Sequence, residues 1–281
     1  MRRLKSLLSR PNGLIGGTMI GLVLLAALTG VIYTPYDPEG TDFMLRFAPA
    51  SAEHLFGTDM FGRDQLSRIL AGASVSVTIS VLTVLLAASG GVVIGALCGF
   101  IQGTFDRLVM MVIEALMAFP GILLALSLMV VIGPNKYGVV LALSLAYLPS
   151  VTRLIRGAVL SVREKEYVEA SIALGNGPVY TLARHILPNC IAPLIVLCTT
   201  MFGWVLLAES ALSFLGLGVP PPAPTWGNML AEARSYLMRD PWLGILPGLC
   251  VSVALVGVNL FGDALRDELD PRDTFVKREP K

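Results

Sequence analysis

The sequence predicts an all-α, polytopic membrane protein with six transmembrane helices and both termini in the cytoplasm. Three observations carry that prediction. Of 281 residues, 54% are hydrophobic and only 15% charged, against about 25% charged residues in an ordinary soluble domain. Apolar runs near 20 residues long recur along the chain, which is the length a hydrocarbon core of about 30 Å requires. Lysine and arginine are then divided unequally between the two sets of connecting segments, and the richer set marks the cytoplasmic side.

The first apolar run extends from about Leu14 to Tyr33 and follows Arg2, Arg3, Lys5 and Arg10. That basic start resembles a secretory signal, but the run is longer than a signal core and no A-x-A site follows, so a retained signal anchor is expected. The remaining runs are about Val75 to Ile101, Leu108 to Ile132, Gly138 to Ile155, Ile191 to Leu215 and Leu243 to Phe261. With the amino terminus inside, the outer segments hold only Arg46, Arg63, Arg68, Lys136, Arg234 and Arg239 of the 21 basic residues. The net charge of +1 gives no general attraction for a polyanion, so a nucleic-acid partner is not expected.

Within the runs, Gly91, Gly95, Gly99 and Gly103 recur every fourth residue. They share one helical face and predict a close helix crossing by intramembrane packing rather than substrate contact. Pro120, Pro149, Pro193 and Pro247 each remove a helix hydrogen bond and are candidate kinks. Glu114 falls two turns into the third run, where Arg107, Arg153 or Arg156 could pair with it, and Glu209 falls near the outer end of the fifth, within expected reach of outer water. Otherwise the interior polar content is Ser127, Ser144, Thr199 and Thr200. No coupling-ion site is evident, which argues against a secondary carrier. Phosphate-loop, H-E-x-x-H and G-x-S-x-G motifs are absent from the sequence. His54 and His185 fall on opposite sides of the membrane, and Cys98, Cys190, Cys198 and Cys250 lack metal-ligand spacing. Energy for uphill movement would therefore come from another chain.

Two polar regions remain to be explained. On the outer side, Asp59, Arg63, Asp64 and Arg68 lie at near-helical spacings. Surface ion pairs contribute only about 0–1 kcal/mol, so docking of an external partner explains the set better than stability, with a solvated helix start as the alternative. Trp226 and Trp242 are expected to sit at the outer membrane interface. On the inner side, EYVEASIALGNGPVYTLARHILPN, residues 166–189, is polar between two apolar runs. Gly175 suits the left-handed residue that ends a helix, and Asn176 or Gly177 can cap a second helix, with Pro178 in its first turn, that ends near Pro188. Tyr167, Ala170, Ser171 and Leu174 then form a narrow face. Physical reasoning leaves two readings level: an amphipathic hairpin on the lipid surface, or a knob for a partner's groove.

This segment resembles the EAA loop of binding-protein-dependent ABC importer permeases: E-A-A, three residues, Gly, nine residues, I-x-L-P. Glu169, Ala170, Gly175, Leu187 and Pro188 match, while Ser171 stands for the third small residue and His185 for the Ile. FGTDMFGRDQLSR (56–68), SFLGLGVPPPAPTWGNML (213–230) and FGDALRDELDPR (261–272) are similar to the second permease subunit of dipeptide, oligopeptide and nickel systems. The resemblance implies a type I ABC importer permease fold in the bacterial inner membrane. It divides the chain into a cytoplasmic amino terminus (1–13), a first helix (14–33), a periplasmic loop (34–73), a core (74–262) with the EAA loop at 161–190, and a cytoplasmic carboxyl terminus (263–281). It further implies a heterodimer with a homologous second permease, two ATPase subunits that use ATP and Mg, and a periplasmic or lipoprotein solute-binding protein. The chain itself would bind no cofactor and catalyse nothing. Tyr167, Glu169, Ala170, Leu174 and Gly175 would couple to the ATPase, with Leu187 and Pro188 closing the motif. Di- or oligopeptides are the expected cargo; nickel chelates, glutathione, opines or sugars are alternatives within the same machinery.

Overall fold

The computed structural model describes residues 10 to 269, and within them the chain is helical, with no strand beyond an isolated bridge between Thr58 and Asp64. The basic residues Arg2, Arg3, Lys5, Arg272, Lys277, Arg278 and Lys281, and the end of the 261–272 stretch, lie outside the described residues.

Helix α1, Pro11–Ile32, opens with Pro11 in its first turn, where a missing N–H leaves nothing unpaired. After an outer loop, α2 spans Gln65–Ile101, 37 residues, and so about 55 Å at 1.5 Å per residue. It outruns the bilayer core and begins ten residues before the apolar run, because the Asp64 carboxylate accepts the Ser67 N–H and caps it there. Helix α5, Lys136–Arg163, is capped by Asn135, whose side-chain oxygen accepts the Gly138 N–H, and carries Pro149 without breaking. Helix α8, Leu187–Phe214, and α10, Trp242–Leu269, likewise run through Pro193 and Pro247.

The third run departs from the continuous span expected of it. It forms α3, Gly103–Met117, and α4, Gly121–Ile132, bent by 91° at the intervening break. Pro120 cannot donate to the turn before it and sits in extended conformation as the N-cap of α4. Among the described residues five helices are long and apolar enough to cross a membrane, and six spans result if the bent pair is counted as one. At one end of the bundle Arg10 meets Asp267 at 3.0 Å, so α1 begins where α10 ends.

The main core lies among α2, α5 and α8, with Ile79, Val151, Ile155, Val159 and Val205 fully or almost fully buried. A second cluster joins α1, α2, α8 and α10 through Val23, Ala73, Leu206 and Ala254. The α2–α5 contact depends on the absence of side chains: a Cβ on Gly95 would stand 2.5 Å from the Thr152 carbonyl oxygen, and one on Gly99 2.9 Å from Val159 Cβ. Gly91 meets Val151 in the same way. Gly103 does not belong to this seam. The helix ends at Ile101, and Gly103 starts α3 at φ +68° with open space around it.

Gly95→Leu is therefore expected to destabilise the purified protein by ~3 kcal/mol, against ~1 kcal/mol for Gly103→Ala, where only left-handed strain is added. Thermal unfolding in detergent distinguishes them; equal losses would show that the seam does not carry the packing.

Candidate functional site at the two ends of the bundle

The cytoplasmic candidate begins where α5 stops. The Arg163 guanidinium donates to the Phe100 carbonyl at 3.1 Å, tying the end of α5 to the last turn of α2. Helix α6, Glu166–Ala173, follows, with Glu166 and Glu169 in its first turn, where negative charge suits the helix dipole. It closes as a Schellman turn: the Asn176 N–H donates to the Ser171 carbonyl, the Gly175 N–H donates to the Ile172 carbonyl, and Gly175 sits at φ +80°. Gly177 caps α7, Pro178–Thr181.

From there the structure differs from the expected hairpin. The second helix does not end at Pro188 but passes through a π-helical turn, Leu182–Ile186, straight into α8. The widened turn accommodates the ring and missing N–H of Pro188, which would disrupt a regular helix interior. Leu187 is half-buried at the base of the hairpin and Pro188 is exposed there, away from its tip.

The hairpin has two faces. Val168, Ser171, Thr181 and Ile186 are buried against the bundle, and the Ser171 hydroxyl lies 3.3 Å from the Thr181 hydroxyl and accepts from the Asn176 amide at 3.1 Å. Ser171 thus leaves the face assigned to it with Tyr167, Ala170 and Leu174. Those three remain exposed together with Glu169, and they are joined by Ile172, Val179 and Tyr180, which the sequence reading missed. Leu174 is 81% exposed and Val179 77%. The Val168–Ser171 spacing was the available signal for the inner face, masked by Ser171 being polar.

The outer candidate is not a surface set. Asp59, Arg63, Asp64 and Arg68 are all buried, Arg68 to 1% exposure. Arg63 Nε donates to Asp59 at 2.6 Å, and the Arg63 and Arg68 guanidiniums both donate to Glu232 Oε2, at 2.7 and 2.9 Å. Glu232 stands on α9, Trp226–Ala233, so the outer loop, the start of α2 and α9 are fastened together. Asp64 accepts from Ser67 Oγ and lies 2.9 Å from His54 Nδ1. The expectation of exposed ion pairs is corrected: the four residues shape the loop from inside, because each charge finds a partner that excludes water.

Three further placements differ from expectation. Glu209 is 0% exposed, enclosed by α2 and the α8–α9 connection, and accepts from Ser76 and Ser213; outer water does not reach it. Trp226 is buried, donating to the Ile69 carbonyl at 3.1 Å, whereas Trp242 is exposed. Glu114 forms no salt bridge with the three arginines named for it, although its charge acts on Arg156, which grips Asp106 through two bonds of 2.6 Å.

Comparison with known proteins is consistent across most of the chain. Residues 91–273 match the family described as "Binding-protein-dependent transport system inner membrane component". A putative peptide transport system permease protein of Brucella suis biovar 1 (strain 1330) is 42% identical over 95% of this chain and 90% of its own length. A di/tripeptide transport system permease protein of Pseudomonas aeruginosa (strain UCBPP-PA14) is 39% identical over 93% and 88%. A glutathione transport system permease protein of Escherichia coli O6:K15:H31 (strain 536 / UPEC) is 37% identical over 89% and 83%. Among solved structures, a chain of the inward-facing MetNI methionine ABC transporter superposes with TM-score 0.60 at 15% identity, covering 72% of this chain and 96% of that one.

Removing one partner from the outer cluster should be costly. Asp59→Ala leaves Arg63 and Arg68 to share Glu232, with one buried positive charge uncompensated, and is expected to lower stability by ~3–5 kcal/mol, read as a fall in melting temperature and new proteolysis of the 34–64 loop. An unchanged melt would show that the cluster holds nothing.

Proposed function

We infer that this chain, which belongs to the family of binding-protein-dependent transport system inner membrane components, is the permease subunit of an ABC importer and forms half of the translocation pathway, most directly for di- or oligopeptides. The observation that carries the coupling assignment is the two-faced hairpin: Val168, Ser171, Thr181 and Ile186 are turned inward, leaving Leu174, Val179, Tyr167 and Tyr180 exposed around a tight turn. An apolar knob of this kind suits a cleft on a protein partner. In the proposed arrangement a homologous second permease completes the pathway, two ATPase subunits seat the hairpins, and a solute-binding protein delivers cargo to the outer face. ATP and Mg act on the ATPase subunits, and this chain is a non-catalytic component.

The proposed steps run from the hairpin to the spans. Closure of the ATPases on ATP pushes the hairpin through Tyr167, Glu169, Ala170 and Leu174. Because α6 is joined to α5 and α7 runs into α8, the displacement rotates these helices and exchanges an inward-open pathway for an outward-open one. Gly175 keeps the knob compact, and Leu187 and Pro188 fix its base. Solute selection rests with the binding protein, consistent with spans whose polar side chains are mostly bonded within their own helices, as Ser127 is to Leu123 and Ser252 to Gly248.

The peptide assignment is supported by relatives named for peptides and di/tripeptides, and a relative named for glutathione, itself a tripeptide, falls within the same chemistry. Nickel chelates, glutathione or another small solute form the second reading within this machinery, and the relative named for glutathione fits it.

Glu169→Lys and Gly175→Leu are expected to leave the protein inserted while abolishing uptake of labelled peptide and binding-protein-stimulated ATP hydrolysis in proteoliposomes. Normal uptake in either variant overturns the coupling assignment. Cysteines introduced at Ser51 and Asn176 should label from opposite sides of intact cells; labelling from one side refutes the orientation.

A further inference from the structure

The outer end of α10 borders a cavity of about 560 Å³ that neither the hairpin nor the buried charge cluster accounts for. Its walls are Phe47, Leu55 and Phe56 of the outer loop, Arg239 and Asp240 before α10, and Trp242 and Leu246 at the start of that helix. This end of α10 is opposite the end held by Arg10 and Asp267, and it is where the span enters the bilayer, with Trp242 exposed as interfacial tryptophans are.

The charged pair at its rim has unused bonding capacity. The Arg239 guanidinium carbon lies over the Phe47 ring, 4.0 Å from the centroid, and among the described residues Arg239 makes no ion pair. The contact with the ring leaves guanidinium N–H donors for a planar or tetrahedral anion. Asp240 Oδ1 accepts the Trp242 N–H at 3.1 Å, which leaves Oδ2 for a cation. Phe47 is itself held at φ 55°, a conformation that a bulky residue rarely adopts. Its N–H is bonded to the Asp59 carbonyl, so the strained residue is fixed by the loop that the buried charge cluster folds, and the platform under Arg239 is rigid.

We propose that this cavity is a binding site for a zwitterionic phospholipid of the outer leaflet, its phosphate on Arg239, its ammonium on Asp240, and the start of its acyl chains against Trp242 and Leu246. Charge complementarity selects the headgroup: an anion with no ammonium would meet Asp240 unpaired, and a cation with no phosphate would meet Arg239. The apolar floor selects a lipid over a soluble zwitterion.

The test uses the full chain in the assembly with which it co-purifies, reconstituted in nanodiscs that contain phosphatidylethanolamine and phosphatidylglycerol in equal amounts. Retained lipid is read by native mass spectrometry after detergent exchange. Wild type is expected to retain phosphatidylethanolamine, Arg239→Gln to lose retention roughly tenfold, and Asp240→Asn to keep binding while losing the preference over phosphatidylglycerol. Thermal melts that stay unchanged in both variants exclude misfolding as the cause; should Arg239→Gln fail to fold, Asp240→Asn decides alone. Equal retention by wild type and both variants, or equal retention of the two lipids by wild type, overturns the proposal. So does competition by glycerophosphoethanolamine as strong as by the lipid, which would indicate a soluble ligand, or crosslinking of residue 239 chiefly to the solute-binding protein.

Discussion

The fold depends on how closely α2 and α5 approach. A lipid environment supplies no hydrophobic driving force between apolar helices, so association rests on packing density and on polar groups that find partners inside the protein. Gly91, Gly95 and Gly99 provide the density by letting Val151, Ile155 and Val159 lie against bare backbone. Each contact is worth little alone, but the seam extends over two turns of α2 and fixes two long spans of the core, α2 and α5, as one body. That body reaches from the outer charge cluster, at the Asp64 cap and Arg68, to the base of the hairpin, where Arg163 bonds the Phe100 carbonyl.

Polar groups follow the same constraint. Arg156 and Asp106 meet in a bidentate pair, Glu209 is bonded to Ser76 and Ser213, and the Trp226 indole N–H donates to the Ile69 carbonyl in the second turn of α2. Such pairs add little net stability compared with apolar packing, yet they are costly to break and therefore specify which helices meet. Ser76 illustrates this: its hydroxyl bonds Glu209 of α8 and also accepts the Trp226 N–H of α9, so one side chain of α2 registers two other elements.

What the sequence discloses, and what it withholds, divides along the range of the forces involved. The spans are legible because the bilayer imposes a length on apolar runs, and the Gly175 turn because a left-handed position demands glycine. Long-range partnerships are not. Nothing in the spacing of Asp59, Arg63 and Arg68 points to Glu232, which lies 169 residues beyond Arg63 and converts an apparent surface set into a buried one. The early start of α2 is hidden for the same reason: Gln65, Ser67, Arg68 and Ser74 interrupt the apolar pattern of its first ten residues, which pack against other parts of the protein. Pro120 announces a lost hydrogen bond but not a 91° turn, which depends on Ala118 and Phe119 leaving the helix before it. The hairpin was half legible: its turn and its outward Tyr167 and Leu174 could be read, but its inward face combines Val168 with Ser171 and Thr181, a mixture without hydrophobic periodicity.

The mounting of that hairpin bears on how it would transmit force. An eight-residue helix is unstable alone, so α6 owes its persistence to the burial of Val168 and to the bonds linking Ser171, Thr181 and Asn176. Pressure on its exposed face therefore cannot be absorbed by unwinding without breaking a buried network. In the proposed coupling the displacement would pass instead into α5 and, through the unbroken passage of α7 and the π-helical turn, into α8. Near its outer end α8 carries Glu209, bonded to Ser76 of α2, and Ser213, adjacent to Thr225 at the cap of α9. Since Glu232 of α9 also holds Arg63 and Arg68, a shift of α8 at the inner surface reaches the loop that a delivering partner would meet. The two ends of the molecule are thus joined by helices and satisfied polar contacts, with no mobile linker between them.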